Sequence, residues 1–298
     1  MGSVASIASP NARMTIREAY VIGREHLSAA GSAEPEIEAE VLLRHALHFD
    51  RASLFARWEQ GIPEEAWQRY RDALAQRASG RPVHYIIGER EFMGLAFAVD
   101  DRVMIPRPET EVLVEFVIDA LRARSELLLV DTGTGSGCIA VSLAHYLPQA
   151  TVYATDISAP ALAVARTNAQ RHGVADRIIF LKGDLLSALP ESVVGQVDAV
   201  VSNPPYVPRS QRASLPREIR DFEPAVAMLA PEEGIEIHQR LIAESPRWLR
   251  PGGLLGMEVG AGQATAVAAA VHEDTRFDRV RTLRDLTGVG RVVAGERR

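Results

Sequence analysis

Residues 127–138 read Leu-Leu-Leu-Val-Asp-Thr-Gly-Thr-Gly-Ser-Gly-Cys. Four apolar residues, an acidic one and three alternating glycines describe a buried strand that turns sharply into a helix starting at Cys138. Glycine allows such a turn and lets backbone N–H groups come close to a ligand at the head of the helix. A dinucleotide fingerprint is spaced G-x-G-x-x-G, whereas Gly133, Gly135 and Gly137 are spaced G-x-G-x-G. The tighter loop suits a nucleoside with an amino-acid tail better than a pyrophosphate. Glycine-rich strand-to-helix turns also occur for packing alone, so the loop needs company before it defines a site.

Working outward, the chain beyond Ser125 alternates strand and helix, the pattern of a parallel, doubly wound α/β sheet. Strands are expected at Leu127–Val130, Thr151–Ala154, Ile178–Leu181, Val197–Val201 and Leu254–Val259, with Phe277–Leu283 and Arg291–Val293 closing the chain. The clearest helix runs from Ser158 to His172, with Ser158 as its cap and Gly173 as its stop. Pro246 is expected to kink or end the helix that follows Ile235.

Four residues stand at the end of the fourth strand: Asn203, Pro204, Pro205 and Tyr206. Two prolines stop a strand, because neither supplies the N–H that a sheet ladder needs. In an open α/β sheet the carboxyl ends of the strands are where ligands bind. Asn203 offers a side-chain carbonyl and Pro204 a backbone carbonyl. Two adjacent acceptors can grip both hydrogens of a planar NH2 group while the Tyr206 ring packs on its flat face. A plain strand-ending turn is the bland alternative, since Asn-Pro and Pro-Pro are ordinary turn dipeptides. Asp156 ends the second strand, where an acidic side chain can accept ribose hydroxyls. Asp184 closes the third, placed to accept from an adenine amino group with Leu185 against the base. Singly these aspartates read as strand-end caps. In series with the glycine loop they outline an adenosine-shaped pocket beside an amine clamp.

Upstream the pattern is helical. Thr15 and Glu18 form a capping box, Pro35 opens a second helix, Leu54 and Phe55 mark a short segment, and Pro63 opens a longer helix ending near Gly80. The expected organisation is a disordered lead-in over 1–13, a helical bundle over 14–80, a connector over 81–104 and the sheet domain over 105–298. Within the connector, His84–Ile87 and Phe97–Val99 suit a short hairpin. Then Pro106 and Pro108 fix an extended segment that aims Arg107, just before a helix expected over Glu109–Ala123.

At 298 residues, with 47% hydrophobic and 24% charged, the chain has an ordinary composition for about two globular domains. No apolar run approaches the ~20 residues of a membrane span, so no membrane partner is expected. Cys138 is the single cysteine, which excludes an internal disulfide and a Cys-cluster metal site and fits a reducing cytoplasm. A net charge of −6 argues against a sequence-independent grip on nucleic acid. Lys182 is the only lysine, which reads as codon bias rather than phosphate recognition.

The chain resembles the HemK-type protein-(glutamine-N5) methyltransferases that modify peptide chain release factors. The likeness is carried by Tyr85-Ile86-Ile87-Gly88 with Phe92 and Gly94, by Ile105–Glu111, by the glycine loop, and by Asn203–Tyr206. Phe222-Glu223-Pro224 and Gly252-Gly253 leading to Glu258 and Gly260 complete it. It spans nearly the whole chain; Met93, where an aromatic is common, is a mild departure. The tetrapeptide also serves adenine-N6 and guanine-N2 nucleic-acid methyltransferases, whereas Pro106–Glu111 after a small helical domain is particular to this family. The resemblance implies a class I Rossmann-like methyltransferase sheet of seven mostly parallel strands, with S-adenosyl-L-methionine as donor and S-adenosyl-L-homocysteine as product. The donor would be held by Gly133, Thr134, Gly135, Ser136, Gly137, Asp156, Asp184 and Leu185, with Asn203 adjoining it. Asn203, Pro204, Pro205 and Tyr206 would bind the glutamine amide of a Gly-Gly-Gln loop, and Asn203, Pro204 and Tyr206 would act in catalysis. Phe92, Arg107 and Glu109 are further candidates for the site, no metal is expected, and the helical domain would dock the release factor. No histidine or carboxylate adjoins the tetrapeptide in sequence, so no general base is expected. The alternatives are an adenine-N6 methyltransferase of nucleic acid, which would want a basic groove, and a non-catalytic adenosine-binding subunit, which would want a damaged acceptor site.

Overall fold

The structure, a computed structural model, describes residues 14–298, so the lead-in expected over 1–13 lies outside it. The chain divides into two compact units: the residues up to Gly88 with Arg217–Phe222, and Glu89–Pro216 with Glu223–Arg298.

The first unit is helical: α1 (Ile16–Ala29), α2 (Pro35–Leu47), α3 (Arg51–Ala56), α4 (Glu64–Ala78) and α5 (Val83–Ile87). The Thr15–Glu18 capping box forms in both directions, and Pro35 stands first in α2. Leu42, Leu43, Leu54, Trp67, Tyr70 and Leu74 are fully buried. Their burial holds the bundle together at roughly 1.5–3 kcal/mol per large side chain. Tyr70 lies across α1 where Gly23 leaves room, and its hydroxyl donates to the Ala39 carbonyl at 3.2 Å. His84–Ile87 is one turn of helix rather than a strand. Pro82 starts it and Gly88, at φ 75°, ends it in the left-handed cap position. Those two punctuation marks outweigh the three β-branched residues between them, Val83, Ile86 and Ile87.

The second unit opens with a hairpin, β1 (Glu89–Phe92) and β2 (Leu95–Ala98), turning at Met93-Gly94. A 3-10 turn over Pro108–Thr110 leads into α6 (Glu111–Leu121), so the helix expected from Glu109 starts later and stops two residues earlier. Then come β3 (Leu127–Thr132), α7 (Cys138–Tyr146), β4 (Ala150–Asp156), α8 (Ala159–Arg171), β5 (Ile178–Lys182) and β6 (Val197–Ser202). A short β7 (Val207–Pro208) precedes α9 (Arg217–Phe222), the segment that belongs with the first unit, where Arg77 bridges Glu38 at 2.8 Å and Glu218 at 3.0 Å. After α10 (Ala225–Met228), β8 (Leu229–Ala230) pairs with β7. The chain ends with α11 (Glu236–Trp248), β9 (Leu249–Glu258), α12 (Ala264–Glu273), β10 (Phe277–Arg284) and β11 (Gly290–Arg297).

Seven strands form the sheet in the order β10-β11-β9-β6-β3-β4-β5. β5, β4, β3, β6 and β9 run parallel; β11 is antiparallel to β9 and β10 antiparallel to β11, so β11 alone runs against the rest. Apolar residues cover both faces, as a parallel sheet requires. The chain moves outward from β3 to β5 and then jumps back to place β6 on the other side of β3. That reversal puts the loop after β3 and the tetrapeptide after β6 side by side at the switch point. Two departures from expectation have local causes. Pro246 lies inside α11, where it removes one hydrogen bond only in the last turn, while burial of Leu241, Ile242 and Trp248 offsets the loss. β9 begins at Leu249 because a bulge over Arg250–Gly253 is absorbed between the Val197 and Ala199 pairings. A Cβ on Gly253 would lie 2.9 Å from the Val197 carbonyl oxygen, so only glycine fits that bend.

Candidate active site

Asp131, the fifth residue of β3, is fully buried and organises the glycine loop from beneath. Its Oδ2 accepts from the Thr134 hydroxyl at 2.6 Å and from the Ala140 N–H at 3.1 Å. Burial pushes its carboxyl up to about 7, against the pull of those two donors. The loop is tied on its far side by Asp156, whose Oδ2 accepts from the Gly135 N–H at 2.9 Å and whose Oδ1 accepts from the Ser158 N–H at 2.8 Å. Burial again raises this carboxyl, opposed by both N–H donors. Asn168 of α8 completes the frame. Its amide pairs with both backbone groups of Ala98 in β2, at 2.7 and 3.0 Å, and donates to the Ser136 carbonyl at 2.8 Å.

The three loop glycines do different things. A Cβ on Gly135, at φ 54°, would meet nothing nearer than the Gly133 carbonyl oxygen at 4.0 Å. It would project into open space. A Cβ on Gly137, at φ 80°, would press on the Ala165 Cβ at 3.0 Å, so that glycine serves the packing of α7 on α8. Thr134 and Ser136 are buried behind the loop and brace it rather than line the opening.

A cavity of about 270 Å3 lies in front of the loop, lined by Gly133, Gly135, Asp156, Leu185, Asn203 and Pro205 among others. The residues expected after β3, β4, β5 and β6 therefore meet in one space. Leu185 holds a left-handed conformation, φ 48°, which is uncommon for a side chain with a Cβ; the Thr155 hydroxyl pins its carbonyl at 2.7 Å. Asp184 also lines the cavity, but both its oxygens already accept from Arg240, at 2.8 and 3.3 Å. A carboxylate has lone pairs for more than these two contacts.

Asn203 donates its Nδ2 to the Thr110 hydroxyl at 3.1 Å. Thr110 in turn donates to Glu258 Oε2 at 2.5 Å, and Tyr206 donates to Glu258 Oε1 at 3.4 Å. A carboxylate thus adjoins the tetrapeptide in space, contrary to the expectation drawn from its neighbours in sequence. Glu258 is 1% exposed, and burial pushes its carboxyl up to about 7. Burial and the nearness of Glu258 raise the Tyr206 phenol. Pro204 is buried beside Asn203, and Gln263 Nε2 holds the Tyr206 carbonyl at 3.0 Å.

Of the remaining candidates, Arg107 and Glu109 lie near enough to act on the Tyr206 phenol, whereas Phe92 stands apart. Phe92 is core: 1% exposed and edge-on to Phe97 at 6.0 Å between centroids. Arg107 pairs with Glu223 at 2.5 Å, and Glu223 also accepts from the Ile105 N–H, fastening the extended segment down. Glu109 lies 3.7 Å from Arg291. Sequence reasoning did not find Thr110, nor the apolar wall formed by Val103, Met104, Pro224 and Ile237. The spacing Pro-Glu-Thr-Glu before a helix marked the neighbourhood of Thr110 but not its contact. The Cys138 thiol, pushed up to about 12 chiefly by burial, is no nucleophile. Among the described residues no group of His, Cys, Asp and Glu is arranged to hold a metal ion, and no helix is long and apolar enough to cross a membrane.

Comparison with known proteins places these features. Residues 18–88 match the family model of the PrmC N-terminal domain, and residues 109–234 match that of the methyltransferase small domain. The release factor glutamine methyltransferase of Moorella thermoacetica is 41% identical over 285 residues, covering 96% of this chain and 99% of that protein. Its namesake from Chlorobaculum tepidum is 45% identical over 240 residues, covering 78% and 81%. Among solved structures, a methyltransferase from Pyrococcus furiosus aligns with a TM-score of 0.52 at 14% identity, over 74% of this chain and 98% of that one. The catalytic domain of hMettl16, solved with a 3'UTR hairpin, aligns with a TM-score of 0.55 at 20% identity, over 75% and 80%. At such identities the two structures share the fold alone.

Proposed function

From the premise that this chain belongs to the release factor glutamine methyltransferases, we infer that its cavity brings a methyl donor to the side-chain amide of a glutamine. The donor is S-adenosyl-L-methionine, which supplies an electrophilic methyl group when bound. The residues present suit it: an open glycine face at Gly133 and Gly135, a buried carboxylate at Asp156 for the ribose hydroxyls, and Leu185 against the base. Asp184 serves the adenine amine from a carboxylate steadied by Arg240.

On the acceptor side, Asn203 Oδ1 and the Pro204 carbonyl take the two amide hydrogens. Holding both draws the nitrogen lone pair out of conjugation and favours the pyramidal nitrogen of the transition state. Tyr206 packs on the amide face, with its hydroxyl anchored to Glu258. Glu258 reaches the acceptor only through Thr110 and Asn203 or through Tyr206, so the proton leaves to solvent after methyl transfer, when the nitrogen has become acidic. The acceptor is the glutamine of a Gly-Gly-Gln loop in a bacterial release factor, and the helical unit docks the rest of that partner.

One observation carries this reading: Asn203 lines the same cavity as Gly135 and Asp156. The test is incubation with labelled donor and a purified release factor, with peptide mass spectrometry to locate the methyl group. Label on the Gly-Gly-Gln glutamine, reduced about 100-fold or more in Asn203→Ala, is the expected result. Label on another residue type, or full activity in Asn203→Ala, overturns it.

A further inference from the structure

The orientation of the Asn203 amide is set by groups outside the tetrapeptide. Thr110 has one hydroxyl proton, and it goes to Glu258 Oε2 at 2.5 Å. Its lone pairs must therefore face Asn203, and only the Nδ2 end of that amide can donate to them. Reversed, the amide would set its oxygen against an oxygen with no proton left to give. Glu258 is an acceptor on both oxygens, toward Thr110 and toward Tyr206, and it is 1% exposed, as is Thr110. A carboxylate buried to that degree is costly to hold. What it supplies once ionised, above about pH 7, and a neutral amide or hydroxyl would not, is a terminus that only accepts.

We propose that Glu258 and Thr110 form a positioning relay that turns the Asn203 amide oxygen toward the methyl acceptor and, through the same carboxylate, fixes the Tyr206 ring. The relay starts at the end of β9, passes through the 3-10 turn before α6 and ends after β6. It joins three separate pieces of chain at the clamp. It rests on the reading of Asn203 as the group that accepts from the substrate NH2. Neither Thr110 nor Glu258 touches the substrate; both act through Asn203 and Tyr206.

The experiment compares Thr110→Val, Thr110→Ser, Asn203→Ala and the Thr110→Val/Asn203→Ala double variant in the full-length protein. A purified release factor is the substrate, S-adenosyl-L-homocysteine binding is followed by calorimetry, and Tm is recorded for each. Valine keeps the shape of threonine and removes its hydroxyl, so kcat falls about 30-fold or more, by analogy with the loss of one preorganised polar contact. Serine restores kcat to within about threefold, and S-adenosyl-L-homocysteine affinity stays within about twofold in both. On the Asn203→Ala background the valine substitution adds nothing, because the Thr110 hydroxyl reaches the acceptor only through that amide. Wild-type kcat in Thr110→Val, an equal loss in Thr110→Ser, or full additivity in the double variant overturns the relay. Full activity in Asn203→Ala alone overturns the underlying reading instead, so the two failures are distinct. If valine packs too poorly to fold, Thr110→Ala against Thr110→Ser poses the same question.

Discussion

Replacing Asp131 by asparagine should change how stability depends on pH, and in a definite direction. The side chain is fully buried, and burial pushes its carboxyl from 3.8 up to about 7. In the unfolded chain the carboxyl gives up its proton near pH 4; in the folded protein it keeps it until about pH 7. Between those values the folded state binds the extra proton, so raising the pH favours unfolding. Over that range the slope is about 1.4 kcal/mol per pH unit for one group; the stability this group contributes is present in full below the unfolded value and lost by about pH 7. Glu258, raised by burial from 4.5 to about 7, adds a second slope of the same sign. Asparagine can offer its oxygen to Thr134 and Ala140 as Oδ2 does, and it cannot ionise. Its NH2 then lies where Oδ1 has no hydrogen-bond partner, which costs about 1–3 kcal/mol at every pH. Asp131→Asn is thus less stable than wild type near pH 4.5 and gains on it steadily up to about pH 7. Urea unfolding at half-unit steps from pH 4.5 to 8 measures the difference directly. Parallel curves for the two proteins would mean that Asp131 is ionised in the folded state, and the account of a neutral carboxyl beneath the glycine loop would be wrong.

Four further outcomes follow from the packing. Gly135→Val sends a branched side chain into the cavity from a left-handed φ of 54°, so S-adenosyl-L-homocysteine affinity by calorimetry falls about 100-fold. Gly137→Ala, whose Cβ meets Ala165, lowers Tm more than affinity. In the helical unit, Gly23→Ala should destabilise although alanine is the better helix former by about 1 kcal/mol, because its Cβ would stand 1.8 Å from the Tyr70 hydroxyl; adding Tyr70→Phe recovers part of the Tm. Asn168→Ala unties Ala98 from Ser136 and costs about 2–4 kcal/mol by chemical denaturation, with faster hydrogen exchange at Ala98; unchanged exchange there would refute the tie.

The parts of the site that could be read along the chain are those where a strand's end and its chemistry coincide. β3, β4 and β6 are buried runs that stop at residues of a different kind, Asp131 before the glycines, Asp156, and Asn203 before two prolines, and each stop falls within two residues of its expected place. Helix starts were legible for the same reason, since caps such as Thr15 and Ser158 act on neighbours three residues away. Thr110 and Glu258 were not legible, because they lie 93 and 55 positions from Asn203 on either side, and nothing near either one signals the contact. That contact exists because β9 lies next to β6, and strand order is set by how seven strands share two faces of apolar cover. Phe92, a candidate through the resemblance, is core for the same kind of reason: Asn168 of α8 and His172 just after it tie β2, and the Phe92 ring lies edge-on to Phe97. The tetrapeptide names the chemistry, and the strand beside it decides which way its amide faces. A substitution at the end of β9 should therefore alter turnover more than donor binding.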